Sequence, residues 1–145
     1  MHSLLVTTAL NRNGAKMLAV TIRYIHHLLL PVQDIERAAT FYSALGMERV
    51  PSLSTTIAWL KFGPNELHLW QTDAQHAYNG WRHEPSPHFA IEGDDIREFE
   101  RRIPQLGGEV LQEPRQRPHD GSWYLFALDP DGNRFEITQH NAPSD

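Results

Sequence analysis

The segment HLLLPVQDIERAATFYSALG at residues 27–46 recurs in outline at residues 88–107 as HFAIEGDDIREFERRIPQLG. The two copies align without a gap, and His, Asp, Ile, Leu and Gly stand at matching positions. Each identity falls where an element is expected to begin or end, which chance similarity of two amphipathic segments does not explain. Because a repeat of this kind fixes the architecture, the chain is predicted to hold two copies of one structural unit.

Both copies have the pattern of a buried strand followed by a helix. Asp34 and Asp95 stand at the predicted N-caps, where a carboxylate accepts hydrogen bonds from free N–H groups of the first turn. Gly46 and Gly107 stand where the helices are expected to end, because a left-handed residue is favoured there. Three further strand patterns follow each helix, so each unit is predicted to be βαβββ. The predicted strands are 24–32, 48–51, 55–62, 66–71, 88–91, 109–112, 122–128 and 134–139.

The predicted fold class is α+β, with the two βαβββ modules packed side by side into a curved, open, barrel-like sheet. At 145 residues the chain is long enough for one domain with a core of its own, and too short for two. We expect an N-terminal extension at 1–18, a single domain at 19–141 and a polar tail at 142–145. Within the domain, the modules are expected at about 19–75 and 84–140.

The composition excludes several classes of function. The formal charge is −5 and no run of Lys or Arg stands out, so neither nucleic acid nor an anionic membrane is an expected partner. No apolar stretch approaches the roughly 20 residues of a membrane span, and no signal peptide is recognised, so a soluble cytoplasmic protein is expected. The chain has no cysteine, so any metal must be held by nitrogen and oxygen ligands.

The alternation of side chains along the strands places four potential metal ligands on concave faces. In the last strand Phe135 and Ile137 form the apolar set, so Glu136 points to the opposite face. By the same alternation, the other three potential ligands are His27, His68 and His88. Imidazole and carboxylate together suit one divalent ion of Fe, Mn, Ni, Co or Zn. Five residues with the same orientation are expected to line the substrate pocket: Leu29, Trp70, Ala90, Tyr124 and Phe126. Trp59 also has this orientation, but a position in the hydrophobic core is an equally good interpretation for it.

The quoted repeat, together with DPDGNRFE at residues 129–136, resembles the glyoxalase/bleomycin-resistance/extradiol-dioxygenase superfamily, also called the vicinal oxygen chelate superfamily. The resemblance extends over roughly residues 20–140. It implies paired βαβββ modules around a metal that binds adjacent oxygens of a substrate. It also implies that His27, His88 and Glu136 are metal ligands, and that His68 occupies the position of a Glu or Gln ligand in glyoxalase I enzymes.

Positions at which this sequence differs from the patterns of individual families narrow the range of expected activities. Leu29 stands where fosfomycin transferases carry a polar residue, and Phe126 stands where extradiol dioxygenases carry a catalytic Tyr, although Tyr124 lies on the same strand face. With His68 as a fourth potential ligand, the predicted metal site resembles the sites of lyases and isomerases more than the three-ligand sites of dioxygenases. Arg115 and Arg117 are the candidates for holding glutathione, but both are interpreted as surface charge.

The sequence therefore predicts a metal-dependent, glyoxalase-like lyase or isomerase acting on a small molecule, with Glu136 moving the proton. The alternatives are an extradiol-type ring-cleavage dioxygenase with Fe(II) or Mn(II), and a non-catalytic ligand-binding protein of the bleomycin-resistance type. A symmetric homodimer is expected, because a curved sheet of this kind leaves open strand edges. The sequence does not choose between dimers packed side by side and dimers that exchange modules.

Overall fold

The computed structural model describes residues 8–10, 12, 14, 16–18, 22–52, 54–73 and 87–140. The predicted tail and most of the linker between the modules lie outside these residues. Two short strands in the N-terminal region, β1 (Thr8–Leu10) and β2 (Lys16–Leu18), pair antiparallel with each other. No helix in the described ranges is long and apolar enough to cross a membrane.

The remaining elements follow the repeat. The first module contains β3 (His27–Val32), α1 (Ile35–Ala44), β4 (Glu48–Val50), β5 (Ile57–Phe62) and β6 (Asn65–Gln71). The second module contains β7 (Phe89–Glu92), α2 (Ile96–Gln105), β8 (Glu109–Val110), β9 (Arg115–Gln116), β10 (Trp123–Leu128) and β11 (Arg134–Gln139). The predicted α+β class is confirmed, and β9 is a short addition to the predicted order.

The strands of the two modules form separate sheets. In the first sheet the order is β3-β6-β5-β4, and in the second it is β7-β11-β10-β8 with β9 also paired to β10. The outer strands β3 and β7 each pair in parallel with the last strand of their own module. Within the described residues no strand pairs across the two sheets, so each module contributes its own open sheet and the strands do not close into a barrel.

Several strands are shorter than predicted because their partners end. The first residue of β3 is His27 rather than Tyr24, since His27 pairs with Glu66 near the start of β6 and a turn precedes that strand. Similarly, β8 ends at Val110 because only two of its residues pair with β10. Pairing partners that are distant in sequence set these bounds, and a local pattern does not show where a partner ends.

The helices begin and end as predicted. The Asp34 carboxylate accepts a hydrogen bond from the Arg37 N–H at 2.9 Å, and the Asp95 carboxylate accepts one from the Glu98 N–H at 3.1 Å. After each helix, Gly46 and Gly107 adopt φ values of 107° and 88°, a conformation in which a side chain would be strained. These caps fix the direction in which the chain returns to its sheet.

One hydrophobic core joins the modules. Phe41 and Tyr42 of α1 lie edge-on to Phe135 of β11, at centroid distances of 6.0 and 6.2 Å. A Cβ atom at Gly108 would lie only 2.8 Å from Phe41 Cε2 and 2.7 Å from the Leu128 carbonyl oxygen, so this contact requires glycine. The first helix therefore packs against both its own sheet and the second module, which joins the cores of the two modules.

The turn between β10 and β11 is tied to the first module by buried polar contacts. The Tyr42 hydroxyl donates a hydrogen bond of 2.7 Å to Asp129 Oδ2. Burial, reinforced by the neighbouring Asp129 carboxylate, raises the pKa of Tyr42 well above its ordinary value. Asn133 Nδ2 donates to the Pro31 carbonyl at 3.0 Å, and Arg37 pairs with Asp131 at 2.8 Å. These bonds fix the point at which β11 begins.

Candidate metal centre

His27 and His68 form the first pair of predicted ligands. They lie on the adjacent parallel strands β3 and β6, and their rings stack with centroids 4.2 Å apart and an interplanar angle of 10°. Leu67 and Leu69, on either side of His68, are fully buried, so the predicted alternation along β6 is correct. The structure thus brings the two histidines of the first module together on the face opposite the core.

Glu66 also belongs to this cluster, and sequence reasoning missed it. Its Oε2 lies 2.8 Å from His68 Nε2, and this hydrogen bond is the main cause that lowers the pKa of Glu66. Trp59, the neighbour of His68 on β5, lies with its ring 5.5 Å from the imidazole. The alternation along β6 contains the signal, because residues 66 and 68 share a face.

His88 and Glu136 form the second pair of predicted ligands. His88 Nε2 lies 3.2 Å from Glu136 Oε2, although 48 residues separate them in sequence. Glu136 is only 6% exposed, and the flanking Phe135 and Ile137 are fully buried on the core side. The parallel pairing of β7 with β11 holds this contact, since it places Ala90 beside Glu136.

Arg117 contacts the second pair, and its interpretation as surface charge was wrong. Its guanidinium forms an ion pair with Glu136 Oε1 and donates hydrogen bonds of 3.0 Å to Ser122 Oγ and Thr138 Oγ1. It also lies over the Tyr124 ring, 4.4 Å from the centroid. Arg117 is therefore held inside the candidate site by four contacts. The sequence carries no signal for this position, because Arg117 lies in an irregular segment after β9.

The predicted pocket residues have different environments. Leu29, Trp59 and Trp70 of the first sheet are 46%, 39% and 51% exposed, so Trp59 is not part of the core. Tyr124 and Phe126 of the second sheet lie edge to face, with centroids 5.8 Å apart. Phe126 also contacts the His88 ring edge-on at 4.9 Å. The first sheet thus presents exposed apolar side chains, and the second presents aromatic rings packed against Arg117 and His88.

The two pairs of predicted ligands do not form one cluster within the chain. His27 and His88 both line a pocket of about 360 Å³, together with Glu66. Nevertheless, across the part of the chain that the structure describes, no three side chains of His, Cys, Asp or Glu are grouped so that they could hold a metal ion. The four-ligand site therefore stays a prediction, and the four predicted ligands lie in the chain as two pairs, the two half-sites of that prediction.

Comparison with known proteins identifies the family. A model of the Glyoxalase/Bleomycin resistance protein/Dioxygenase superfamily matches residues 24–137. The chain belongs to this superfamily, which confirms the resemblance in the sequence. It is 30% identical over 132 residues to a lactoylglutathione lyase of Neisseria meningitidis, covering 82% of this chain and 92% of the relative. It is 28% identical over 135 residues to a protein of Synechocystis named probable lactoylglutathione lyase, covering 84% and 99%.

Solved structures agree with this assignment. The crystal structure of a lactoylglutathione lyase from Agrobacterium tumefaciens matches with a TM-score of 0.57 and 26% identity, over 80% of this chain and 92% of that one. A glyoxalase/bleomycin resistance protein/dioxygenase from Alicyclobacillus acidocaldarius matches with a TM-score of 0.62 and 21% identity, over 82% and 92%. The second likeness concerns the fold alone.

Proposed function

We propose that this protein is a metal-dependent lyase or isomerase of the glyoxalase type. Its substrate would be a small α-hydroxycarbonyl thioadduct that offers two adjacent oxygens. The observation that carries the proposal is the contact between His88 Nε2 and Glu136 Oε2 across two paired strands. The similarity to lactoylglutathione lyases supports a lyase over the dioxygenase and ligand-binding alternatives.

The geometry of this pair fits a divalent metal ion. Two donor atoms that each lie about 2.0–2.2 Å from one ion are roughly 2.8–3.1 Å apart at octahedral angles and roughly 3.3–3.6 Å apart at tetrahedral angles, a span of about 2.8–3.6 Å. The observed separation of 3.2 Å falls within that range. His27 and His68 would complete a set of nitrogen and oxygen ligands, which suits Fe, Mn, Ni, Co or Zn.

The residues around the ion would each have a separate role in catalysis. A bound divalent ion supplies Lewis-acid polarisation of the substrate oxygens. Arg117 holds Glu136 Oε1, so Oε2 is the oxygen that remains to face the ion or the substrate. Glu136 would take a proton from the substrate carbon and return it to the neighbouring carbon. Tyr124 and Phe126 would exclude water from this step, since their rings lie beside the pair.

The first test is metal binding. We expect the purified protein to bind about one divalent ion per chain, as measured by mass spectrometry of metals and by calorimetric titration. His27→Ala and His88→Ala should each weaken binding, because each removes a predicted ligand. His140→Ala is the matched control, since His140 pairs with the exposed Glu92 on the surface. A parent protein that binds none of the five metals would contradict the proposal and favour the ligand-binding alternative.

We further propose that the active form is a homodimer whose chains share each site. Two half-sites in one chain support this, because a two-fold axis can bring the first-module face of one copy to the second-module face of the other. Sedimentation velocity at tens of micromolar should show a dimer. A monomer at that concentration would contradict the proposal.

Co-expression of two defective variants tests the shared site directly. In a mixed dimer of His27→Ala and Glu136→Ala chains, one site would carry both substitutions and the other would keep all four ligands. Random pairing should then restore about a quarter of the metal sites in the whole mixture. In mixed dimers isolated through a different tag on each chain, about half of the sites should be restored, as counted by metal analysis. If all four ligands come from one chain, co-expression restores none.

A further inference from the structure

The His68 ring is fixed from three directions. Strand β6 lies between β3 and β5, so His27 stacks on the ring from one side and Trp59 from the other. Glu66 Oε2 lies 2.8 Å from Nε2 and takes up one of the two ring nitrogens. The side chain of His68 is only 16% exposed. These contacts restrict the orientation of the His68 ring.

The contact with Glu66 decides which ring nitrogen carries the proton. An ionised carboxylate only accepts hydrogen bonds, and a neutral imidazole has one N–H. Glu66 is not a proposed ligand, so in its 2.8 Å contact Nε2 donates and Nδ1 keeps the lone pair. The longer contact of 3.2 Å between His88 and Glu136 joins two proposed ligands, and bonds to the ion would replace it. A metal binds the nitrogen that has the lone pair, and the partner of the other nitrogen sets the tautomer.

We propose that Glu66 is a positioning residue that holds His68 as the Nε2–H tautomer and so presents Nδ1 as the metal-binding nitrogen. This inference rests on the proposed function and adds to it a residue and a specific ligand atom. Lys61, which pairs with Glu66 across β5 and β6, lies on the same strand face, but the hydrogen bond of Glu66 goes to His68. Glu66 would thus act on the ion through His68, without contacting the substrate.

Variants of Glu66 separate this role from a structural one. Glu66→Ala removes the acceptor and should weaken metal binding by about 10–100-fold, the usual effect of losing a carboxylate behind a histidine ligand. Glu66→Gln should recover part of that loss, because the amide oxygen still accepts from Nε2. Glu92→Ala is the matched control, since Glu92 pairs with exposed His140 at 2.8 Å and its loss should leave metal affinity unchanged.

Nuclear magnetic resonance of nitrogen-15-labelled histidine determines the tautomer of His68 and requires no measurement of enzyme activity. In the metal-free parent protein His68 should be the Nε2–H tautomer, and in Glu66→Ala it should become a mixture of both. Addition of zinc to the parent should shift the resonance of Nδ1 and leave Nε2 protonated. An unchanged tautomer in Glu66→Ala, or ligation through Nε2, would overturn the inference.

These experiments distinguish failure of the proposed function from failure of the inference about Glu66. A parent protein that binds no metal overturns the proposed function and the metal-presenting role of Glu66 together. The tautomer comparison on metal-free protein still decides whether Glu66 fixes the ring. A protein that binds metal with equal affinity in the parent and in Glu66→Ala overturns the inference alone.

Discussion

Glu136→Gln is expected to keep the fold and some metal affinity while turnover falls by about 10²–10⁴, the usual contribution of a positioned acid–base group. Glutamine preserves the shape of the side chain and one neutral oxygen, but it cannot accept the proton. Because Glu136 is nearly buried and paired with both His88 and Arg117, water cannot readily replace its function. The measurement is steady-state turnover of the best substrate from a screen of α-hydroxycarbonyl thioadducts, 2-oxo acids and catechols.

The control for this experiment is Glu92→Gln, an exposed glutamate on β7 of the same sheet, which should turn over substrate at the parent rate. Circular dichroism should show the same fold for all three proteins. If Glu136→Gln matches the parent, Glu136 is not the base and the isomerase mechanism fails. Oxygen-dependent cleavage of a catechol by the parent would instead support the dioxygenase alternative.

Phe135→Ala should lower the free energy of unfolding by about 3–5 kcal/mol, as is typical when a large buried aromatic side chain is removed. Phe135 is fully buried and contacts Phe41, Tyr42 and Phe89, so the cavity would open at the junction of the modules. Urea denaturation followed by tryptophan fluorescence measures the change. Both modules should unfold in one transition, since they share this core.

The matched control is Trp70→Ala, because Trp70 is a large aromatic residue on a strand but is 51% exposed. Its replacement should change stability by about 0.5 kcal/mol or less. A loss below about 1 kcal/mol for Phe135→Ala, or two separate transitions in the parent, would show that the modules are stabilised independently.

The local parts of the fold were predictable from the sequence. The repeat indicated two βαβββ units, and Asp34 and Asp95 marked the starts of the helices because a cap is a contact between residues three apart. The alternation of apolar and polar residues placed Phe135 and Glu136 on opposite faces correctly. Both inferences depend on periodicity within one element, which is a property of the local sequence.

Contacts between distant segments were not predictable in the same way. Nothing near Arg117 in the sequence indicates Glu136 as its partner, because the contact depends on how the irregular segment after β9 lies beside Ser122 and Thr138. Side-chain alternation also did not decide whether strands of the two modules pair with each other, since it is the same in either arrangement. Glu66 is an intermediate case, because its face was predictable but its pairing with His68 depended on rotamers.

The buried turn at residues 129–133 has a consequence for how this protein can evolve. Its bonds to Tyr42 and Pro31 anchor the start of β11 to the first module, and Glu136 lies two residues after that start on the same strand. The exposed apolar side chains Leu29 and Trp70 lie on the other sheet. Mutational libraries directed at those two positions should alter substrate preference at little cost in folding, whereas changes in the turn would displace the Glu136 carboxylate whatever the substrate.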